Sequence, residues 1–142
     1  MKVYFAGPLF TSAERTWNQE LVLALRGAGH EVFVPQDQEH GKSAADIFAT
    51  DVAGLDWAEC VVAVMDGPDP DSGTAWECGY AYGKKPVVLI RTDFRSAPGA
   101  MGAPYNPMLT ESATLRLDLP MASGPAVYAA LVRVLADLGG AS

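Results

Sequence analysis

A single carboxylate, Glu77, stands out in the segment 71–83, DSGTAWECGYAYG. The segment is rich in small residues and is predicted to form a short helix, with Glu77 in its first turns. Three aspartates precede Glu77, and no Lys or Arg occurs from position 66 to position 83. A helix N-terminus also favours the ionised form of a carboxylate. Such a group, ionised, positioned and close to other carboxyl groups, is what glycosyl transfer through a covalent intermediate requires.

A structural role for Glu77 stays open at this point. Thr74-x-x-Glu77 also fits a capping box, in which the glutamate side chain accepts a hydrogen bond from a backbone N–H group at the helix start. A loss of folding in Glu77→Gln would support this capping role.

Asp51 is a second candidate, because it interrupts the apolar face of a helix predicted at about 44–59. Ile47 and Leu55 lie one turn before it and one turn after it on that face. A buried carboxylate is costly unless it is paired, hydrogen-bonded or directed into a wet cleft, so the pattern indicates a site residue. The alternative is an aspartate at the edge of the stripe that reaches water.

The predicted elements that position these residues alternate between strand and helix. Strands are predicted at 2–6, 31–35, 60–65, 86–90 and 114–117, and helices at about 11–26, 44–59, 71–83 and 125–138. The alternation predicts an α/β fold, a doubly wound five-stranded parallel sheet in the flavodoxin-like order 2-1-3-4-5. Tyr4, the loop 66–71 and the start of the Glu77 helix should then meet at one crevice, where open α/β sheets bind ligands.

Length and composition narrow the class of protein. A chain of 142 residues with 49% hydrophobic residues is expected to form a single domain, 1–142. The net charge of -7 and the lack of a basic run argue against nucleic acid or an anionic membrane as partner. No stretch is long enough to span a bilayer. The expected ligand is therefore a small molecule.

The sequence gives no sign of a cofactor or a metal. The GxGxxG and GxxxxGK[ST] patterns are both missing, which weakens a dinucleotide or P-loop interpretation. Cys60 and Cys78 form neither a CxxC pair nor a cluster with His, so they are expected to be buried free thiols in a reducing cytosol. Residues 94–107, rich in Gly, Pro and Ala, form the one long loop, and long loops in compact domains are usually functional or disordered.

Three segments of the chain resemble the nucleoside 2-deoxyribosyltransferase family. They are 4–10 (YFAGPLF) with Glu14, Trp17 and Asn18; 51–56 (DVAGLD); and 71–81 (DSGTAWECGYA) with Gly83 and Lys84. The resemblance covers about residues 3–110, and the order and spacing of the segments together make it specific.

The resemblance implies a retaining glycosyltransferase of nucleoside salvage, which moves 2-deoxyribose between the bases of 2′-deoxynucleosides with some hydrolysis. It implies that Glu77 is the nucleophile, that Tyr4 orients its carboxylate, and that Asp51 and Asp71 bind or protonate the base. Substrate contacts are expected from Gly7, Phe10, Asp51, Asp71 and Gly73.

The resemblance also implies a homo-oligomer with a shared active site. In this family a neighbouring subunit completes the site, through a segment that aligns here with Asn106 and Met108. The loop 94–107 would deliver these residues. The partners would be a deoxynucleoside, a free nucleobase and further copies of the chain, in the cytoplasm.

Two other functions remain open from the sequence. The first is an N-glycosidase of nucleoside 5′-monophosphates, in which water replaces the acceptor base. Its phosphate would need groups near helix N-termini, such as Thr11, Ser12, Arg15 and Ser72. The turn 7–10, GPLF, lacks a Gly/Ser/Arg-rich phosphate cradle, which favours the free nucleoside.

The second is a non-catalytic nucleotide-binding module that uses the same crevice, since a fold does not establish a chemistry. Such a module would not need Glu77 ionised and oriented by Tyr4.

Overall fold

The computed structural model describes residues 1–38, 40–95 and 102–140. The strands of this part of the chain are β1 (Lys2–Ala6), β2 (Glu31–Phe33), β3 (Cys60–Val64), β4 (Val87–Arg91) and β5 (Leu115–Asp118). Its helices are α1 (Ser12–Gly27), α2 (Ala44–Trp57), α3 (Ser72–Ala81), the short α4 (Pro107–Thr110) and α5 (Gly124–Gly140), with a 3-10 turn at Pro35–Asp37. None of these helices is both long enough and apolar enough to cross a membrane.

The strands form one parallel sheet in the order β2-β1-β3-β4-β5. This confirms the predicted α/β fold and the strand order 2-1-3-4-5. Tyr4, in the middle of β1, is in register with Phe33 of β2 and Val61 of β3. The carboxyl ends of β1 and β3 therefore meet at the same edge of the sheet.

Side chains along β1 alternate between two apolar layers. Val3 and Phe5 belong to the layer formed with α1 and α5. Tyr4 and Ala6 belong to the layer formed with residues of α2 and α3, such as Leu55 and Cys78. Because helices cover both faces, every residue of β3 and β4 is buried, which explains their continuous apolar runs. The side chain of Tyr4 is thus directed to the layer that holds Glu77.

Some predicted boundaries differ from the structure. The second strand ends at Phe33, two residues early, because Pro35 has no backbone N–H and begins the 3-10 turn. Helix α2 ends at Trp57 instead of about residue 59, since Ala58 is extended and Lys85 donates to its carbonyl oxygen. The prediction missed α4, and residues 96–101 of the predicted long loop lie outside the described residues.

Candidate active site

Tyr4 and Glu77 are joined by a short hydrogen bond. The Tyr4 hydroxyl donates to Oε1 of Glu77 at 2.6 Å, across 73 positions of sequence. Tyr4 is completely buried, whereas Glu77 is partly exposed, in the second turn of α3. Strand β1 therefore supplies a fixed donor to a carboxylate that solvent can still reach.

The capping-box alternative for Glu77 is wrong. Helix α3 begins at Ser72, and its N-cap is Asp71, whose Oδ2 accepts hydrogen bonds from the Thr74 backbone N–H at 2.9 Å and from the Thr74 hydroxyl at 3.0 Å. Thr74 is thus already the third helical residue, and Glu77 lies one turn further along. Asp71 does the capping, which leaves the Glu77 side chain to Tyr4.

Burial dominates the electrostatics of Glu77. It raises the pKa of the carboxyl from 4.5 to about 7, and the nearby charges of Asp51 and Asp71 act in the same direction. The hydrogen bond from Tyr4 favours the ionised form and opposes this rise. The sequence predicted an ionised carboxylate, because the burial that opposes ionisation is not visible in a local pattern. Burial and the Glu77 charge also raise the pKa of the Tyr4 hydroxyl, which stays protonated as a donor.

A cleft of about 440 Å³ lies between α2 and α3 beside Glu77. Its lining comprises Ala44, Ile47, Phe48, Asp51, Val52, Gly73, Trp76 and Glu77. Among the described residues the lining is mainly apolar, and its two acidic groups are the carboxyl groups of Asp51 and Glu77. An apolar cavity with a few placed polar groups is the usual form of a small-molecule site. The structure thus brings Asp51 and Gly73, both predicted from sequence, to the same cleft as Glu77.

An aromatic wall, formed by Phe48 and Trp76, was not predicted. Phe48 meets Trp76 edge-on with ring centroids 5.5 Å apart, and Trp76 stacks on Tyr80 at 5.3 Å. Phe48 is 58% exposed and Trp76 48% exposed, so both present ring surface to solvent. The sequence does contain a signal for this wall, because both aromatic residues lie close to candidate site residues. Trp76 directly precedes Glu77, and Phe48 lies three residues before Asp51 on the same helix.

Gly7 and Phe10, two predicted substrate contacts, are not among the residues described as lining this cleft. Gly7 is a close-packing position, because a Cβ there would lie 3.2 Å from Oδ1 of Asn18 and 3.3 Å from Cβ of Val64. Phe10 is 73% exposed on the loop that follows β1. Their predicted contacts with substrate therefore remain predictions.

Asn106 and Met108 lie in a different place from Glu77 of the same chain. They border a second cleft, of about 630 Å³, with Ala75, Gly79 and Tyr82. Ala75 and Gly79 are on the opposite side of α3 from Glu77, as helical spacing requires, and Tyr82 directly follows the helix. The side-chain oxygen of Asn106 accepts from the backbone N–H of Met108 at 2.9 Å, and Met108 is 80% exposed.

The start of α1, one of the places considered for phosphate, is occupied by its own side chains. Oε2 of Glu14 accepts from the backbone N–H groups of Phe10 at 2.9 Å and Thr11 at 2.8 Å. Arg15 donates to the carbonyl oxygens of Leu9 and Gln36. A phosphate at this end would have to displace a carboxylate.

The charged residues at or just after the carboxyl ends of β3 and β4 hold the loops there in place. Asp66 accepts from the backbone N–H groups of Thr92 and Asp93. Arg91 donates to backbone carbonyl oxygens, and Asp93 pairs with Arg95. Arg91 and Asp93 are therefore not among the described residues that line the cleft, and each has a partner other than the other.

Comparison with known proteins gives a family and a set of similar structures. The sequence profile of the nucleoside 2-deoxyribosyltransferase family matches residues 3–119. No curated protein matches the chain.

Among solved structures, a 2-deoxyribosyltransferase from the psychrotolerant bacterium Bacillus psychrosaccharolyticus is 26% identical, with a TM-score of 0.71 over 90% of each chain. A 2-deoxyribosyltransferase from Leishmania mexicana is 25% identical, with a TM-score of 0.68 over 93% of this chain and 97% of that one. A CMP N-glycosidase from Clostridium botulinum shares the fold at 17% identity, with a TM-score of 0.68 over 92% of this chain and 97% of that one.

Proposed function

The chain belongs to the nucleoside 2-deoxyribosyltransferase family, and we propose that it transfers 2-deoxyribose between the bases of 2′-deoxynucleosides through a covalent intermediate on Glu77. The observation that carries the proposal is the 2.6 Å hydrogen bond from Tyr4 to Glu77 at the side of the 440 Å³ cleft. A fixed donor on one oxygen leaves the other oxygen of the carboxylate for attack.

The cleft offers a place for each part of the substrate. A planar base can lie along the aromatic wall of Phe48 and Trp76, where stacking is favourable for any base. The sugar then has its C1′ atom next to Glu77, and Asp51 and Asp71 are the carboxyl groups whose charges already influence Glu77.

The reaction proceeds in two displacements. In the first, the Glu77 carboxylate forms a bond to C1′ while the C1′–N bond breaks, and its electron pair leaves with the base, which takes up a proton from Asp51 or Asp71. In the second, a nitrogen of another base attacks C1′, the bond from C1′ to Glu77 breaks to release the carboxylate, and the incoming base gives its proton to the aspartate that protonated the first base. Two inversions give net retention, and water as acceptor gives hydrolysis.

The sugar preference follows from the transition state. Positive charge develops on the ring of the sugar as the C1′–N bond breaks. A 2′-hydroxyl withdraws electrons from that cation, so 2′-deoxyribose reacts more readily than ribose.

The proposed enzyme is a homo-oligomer in which Asn106 and Met108 act in the site of a neighbouring subunit. Their support is their position, since they are exposed beside a second cleft on the opposite side of α3 from their own Glu77. Neither is among the described residues that line the cleft beside their own Glu77, which favours a role in the site of a neighbouring copy.

Hydrolysis of nucleoside 5′-monophosphates is the alternative, and the start of α1 counts against it. The N–H groups of Phe10 and Thr11, which would bind a phosphate, already bind Glu14. The similarity to the CMP N-glycosidase is one of fold.

The first experiment is a chromatographic assay of the purified protein with deoxyinosine, with and without free adenine. We expect deoxyadenosine only when adenine is present. Deoxyinosine monophosphate is assayed in parallel, and release of hypoxanthine from the monophosphate alone would replace the proposal with the hydrolase. Binding without turnover, equal in the protein and in Glu77→Gln, would indicate the non-catalytic module.

A further inference from the structure

Phe33 packs against the ring of Tyr4. The two residues are in register on neighbouring strands, β2 and β1. Their rings are stacked, with centroids 5.3 Å apart and planes inclined by 14°. Stacked aromatic rings restrain each other's position, so the orientation of the Tyr4 ring depends on Phe33.

Gly54 of α2 in turn contacts Phe33. A Cβ atom at position 54 would lie 2.6 Å from Cε1, 2.7 Å from Cδ1 and 2.8 Å from Cζ of Phe33. Such separations are far below van der Waals contact, so any side chain at position 54 would move the Phe33 ring or the helix. Gly54 has a helical conformation and is buried, and the reason for glycine is therefore space rather than backbone freedom.

These contacts form a continuous row of groups from α2 to the carboxylate. Gly54 touches Phe33, Phe33 stacks on Tyr4, and the hydroxyl of Tyr4 donates to Glu77 at 2.6 Å. A hydrogen bond of this length tolerates little movement of its donor. A shift of the Phe33 ring would therefore reach Glu77 through the Tyr4 hydroxyl.

We propose that Phe33 and Gly54 are positioning residues, which together hold the Tyr4 ring so that its hydroxyl stays on Glu77. Neither lies among the residues described as lining the cleft beside Glu77, so they act through Tyr4 and not on the substrate. The effect on catalysis rests on the proposed function, whereas the effect on the Glu77 carboxyl does not.

The test measures the titration of Glu77 directly, by NMR of the protein labelled with ¹³C at the glutamate side-chain carboxyl, with Glu77→Gln to assign the signal. Gly54→Ala should move the midpoint to higher pH, because the ionised form loses its donor. In a Tyr4→Phe background the same substitution should cause no further movement, since the hydroxyl through which it acts is gone.

Phe33→Leu serves as a second variant, because it removes the ring without adding an atom and keeps the position apolar. It should move the midpoint in the same direction as Gly54→Ala, and again only when Tyr4 is present. Gly27→Ala is the matched control, since a Cβ at this exposed end of α1 meets nothing within 4 Å, and it should leave the midpoint unchanged.

In the transfer assay, Gly54→Ala and Phe33→Leu should lower kcat about tenfold near neutral pH and change KM little, because they weaken one hydrogen bond to a charged group. Equal shifts of the Glu77 midpoint with and without the Tyr4 hydroxyl, or no shift in either variant, would overturn the positioning role. A protein that shows the expected titration but no transfer would instead overturn the proposed function.

Discussion

Oε1 of Glu77 lies 2.6 Å from the hydroxyl of Tyr4, while burial raises the pKa of the same carboxyl to about 7. The two effects oppose each other. Burial favours the protonated form, which cannot attack, and the hydroxyl favours the ionised form, which can. The Tyr4 hydroxyl therefore helps to keep the poorly solvated Glu77 carboxyl ionised.

Tyr4→Phe should lower kcat/KM for base exchange by roughly 10- to 100-fold, since a hydrogen bond to a charged group contributes about 1.5–3 kcal/mol. Steady-state kinetics measure the effect. Tyr80→Phe is the matched control, because the Tyr80 hydroxyl also donates to a carboxylate, Asp56, at 2.9 Å on an exposed surface. Equal losses in both variants would show that the Tyr4 hydroxyl has no special role.

The pH profile of the unaltered protein should show the ionisation of Glu77. Activity requires the carboxylate, so kcat/KM should rise as the pH increases towards about 7 and fall again once the acid that protonates the leaving base has lost its proton. In Tyr4→Phe the rise should move to higher pH, because the ionised form has lost its donor. A profile of Tyr4→Phe displaced to lower pH would contradict the assignment.

Glu77→Gln should abolish transfer and yet stabilise the folded protein at high pH. The folded pKa of Glu77, about 7, exceeds the 4.5 of an unperturbed group, so the stability that the protonated carboxyl contributes is lost as the pH rises from 4.5 to 7. Glu77→Gln has no carboxyl to ionise and keeps this stability as the pH rises. At pH 8 its free energy of unfolding should therefore exceed that of the unaltered protein by up to about 3 kcal/mol.

Urea denaturation of both proteins at pH 8 and at pH 4 measures this difference. At pH 4 the two should be almost equally stable, because the carboxyl is then protonated and similar in shape to the amide. A variant that is less stable than the unaltered protein at pH 8 would show that the negative charge contributes to folding.

Trp76→Ala should raise KM about tenfold and affect kcat less, because stacking of a base on an aromatic side chain contributes roughly 1–3 kcal/mol and is present before the reaction begins. Trp57→Ala is the control, because it makes the same substitution at the end of α2, where the ring lies beside Lys2. A fall in kcat without a change in KM would show that the aromatic wall does not bind the base.

Mixing two inactive variants tests the shared site. If Asn106 acts in a neighbouring subunit, each site combines Glu77 of one subunit with Asn106 of the other. A mixed dimer of Asn106→Ala and Glu77→Gln, formed by subunit exchange, then has one site with both substitutions and one site with neither. Activity should then recover to about a quarter of that of the unaltered protein. Activity that stays at the level of the separate variants would place both residues in the same site.

The sequence predicts the fold well because strands β3 and β4 carry strong local patterns and helices alternate with the strands along the chain. Continuous apolar runs indicate buried parallel strands, and the alternation with helices allows few arrangements of the sheet. Asp51 and Glu77 could also be found, because a carboxylate on an apolar helix face and one in an acidic, small-residue segment are both local signals.

Contacts between distant elements could not be predicted in this way. The hydrogen bond of Tyr4 to Glu77 joins two elements that only the sheet order brings together, and the resemblance, not the pattern, suggested it. The packing of Phe33 on Gly54 depends on the distance between a helix and an edge strand, which no periodicity encodes. The pKa of Glu77 depends on burial, which is a property of the folded chain.

The central claim is a covalent bond between Glu77 and C1′ of the sugar, and mass spectrometry tests it most directly. The protein is mixed with deoxyinosine without an acceptor base, quenched in acid, and examined intact and as peptides. The account predicts a deoxyribosyl group on Glu77 in the peptide that contains it. The group should be absent from Glu77→Gln and should disappear on addition of adenine as deoxyadenosine forms. Base exchange at full rate in Glu77→Gln, or an adduct on another residue, would contradict it.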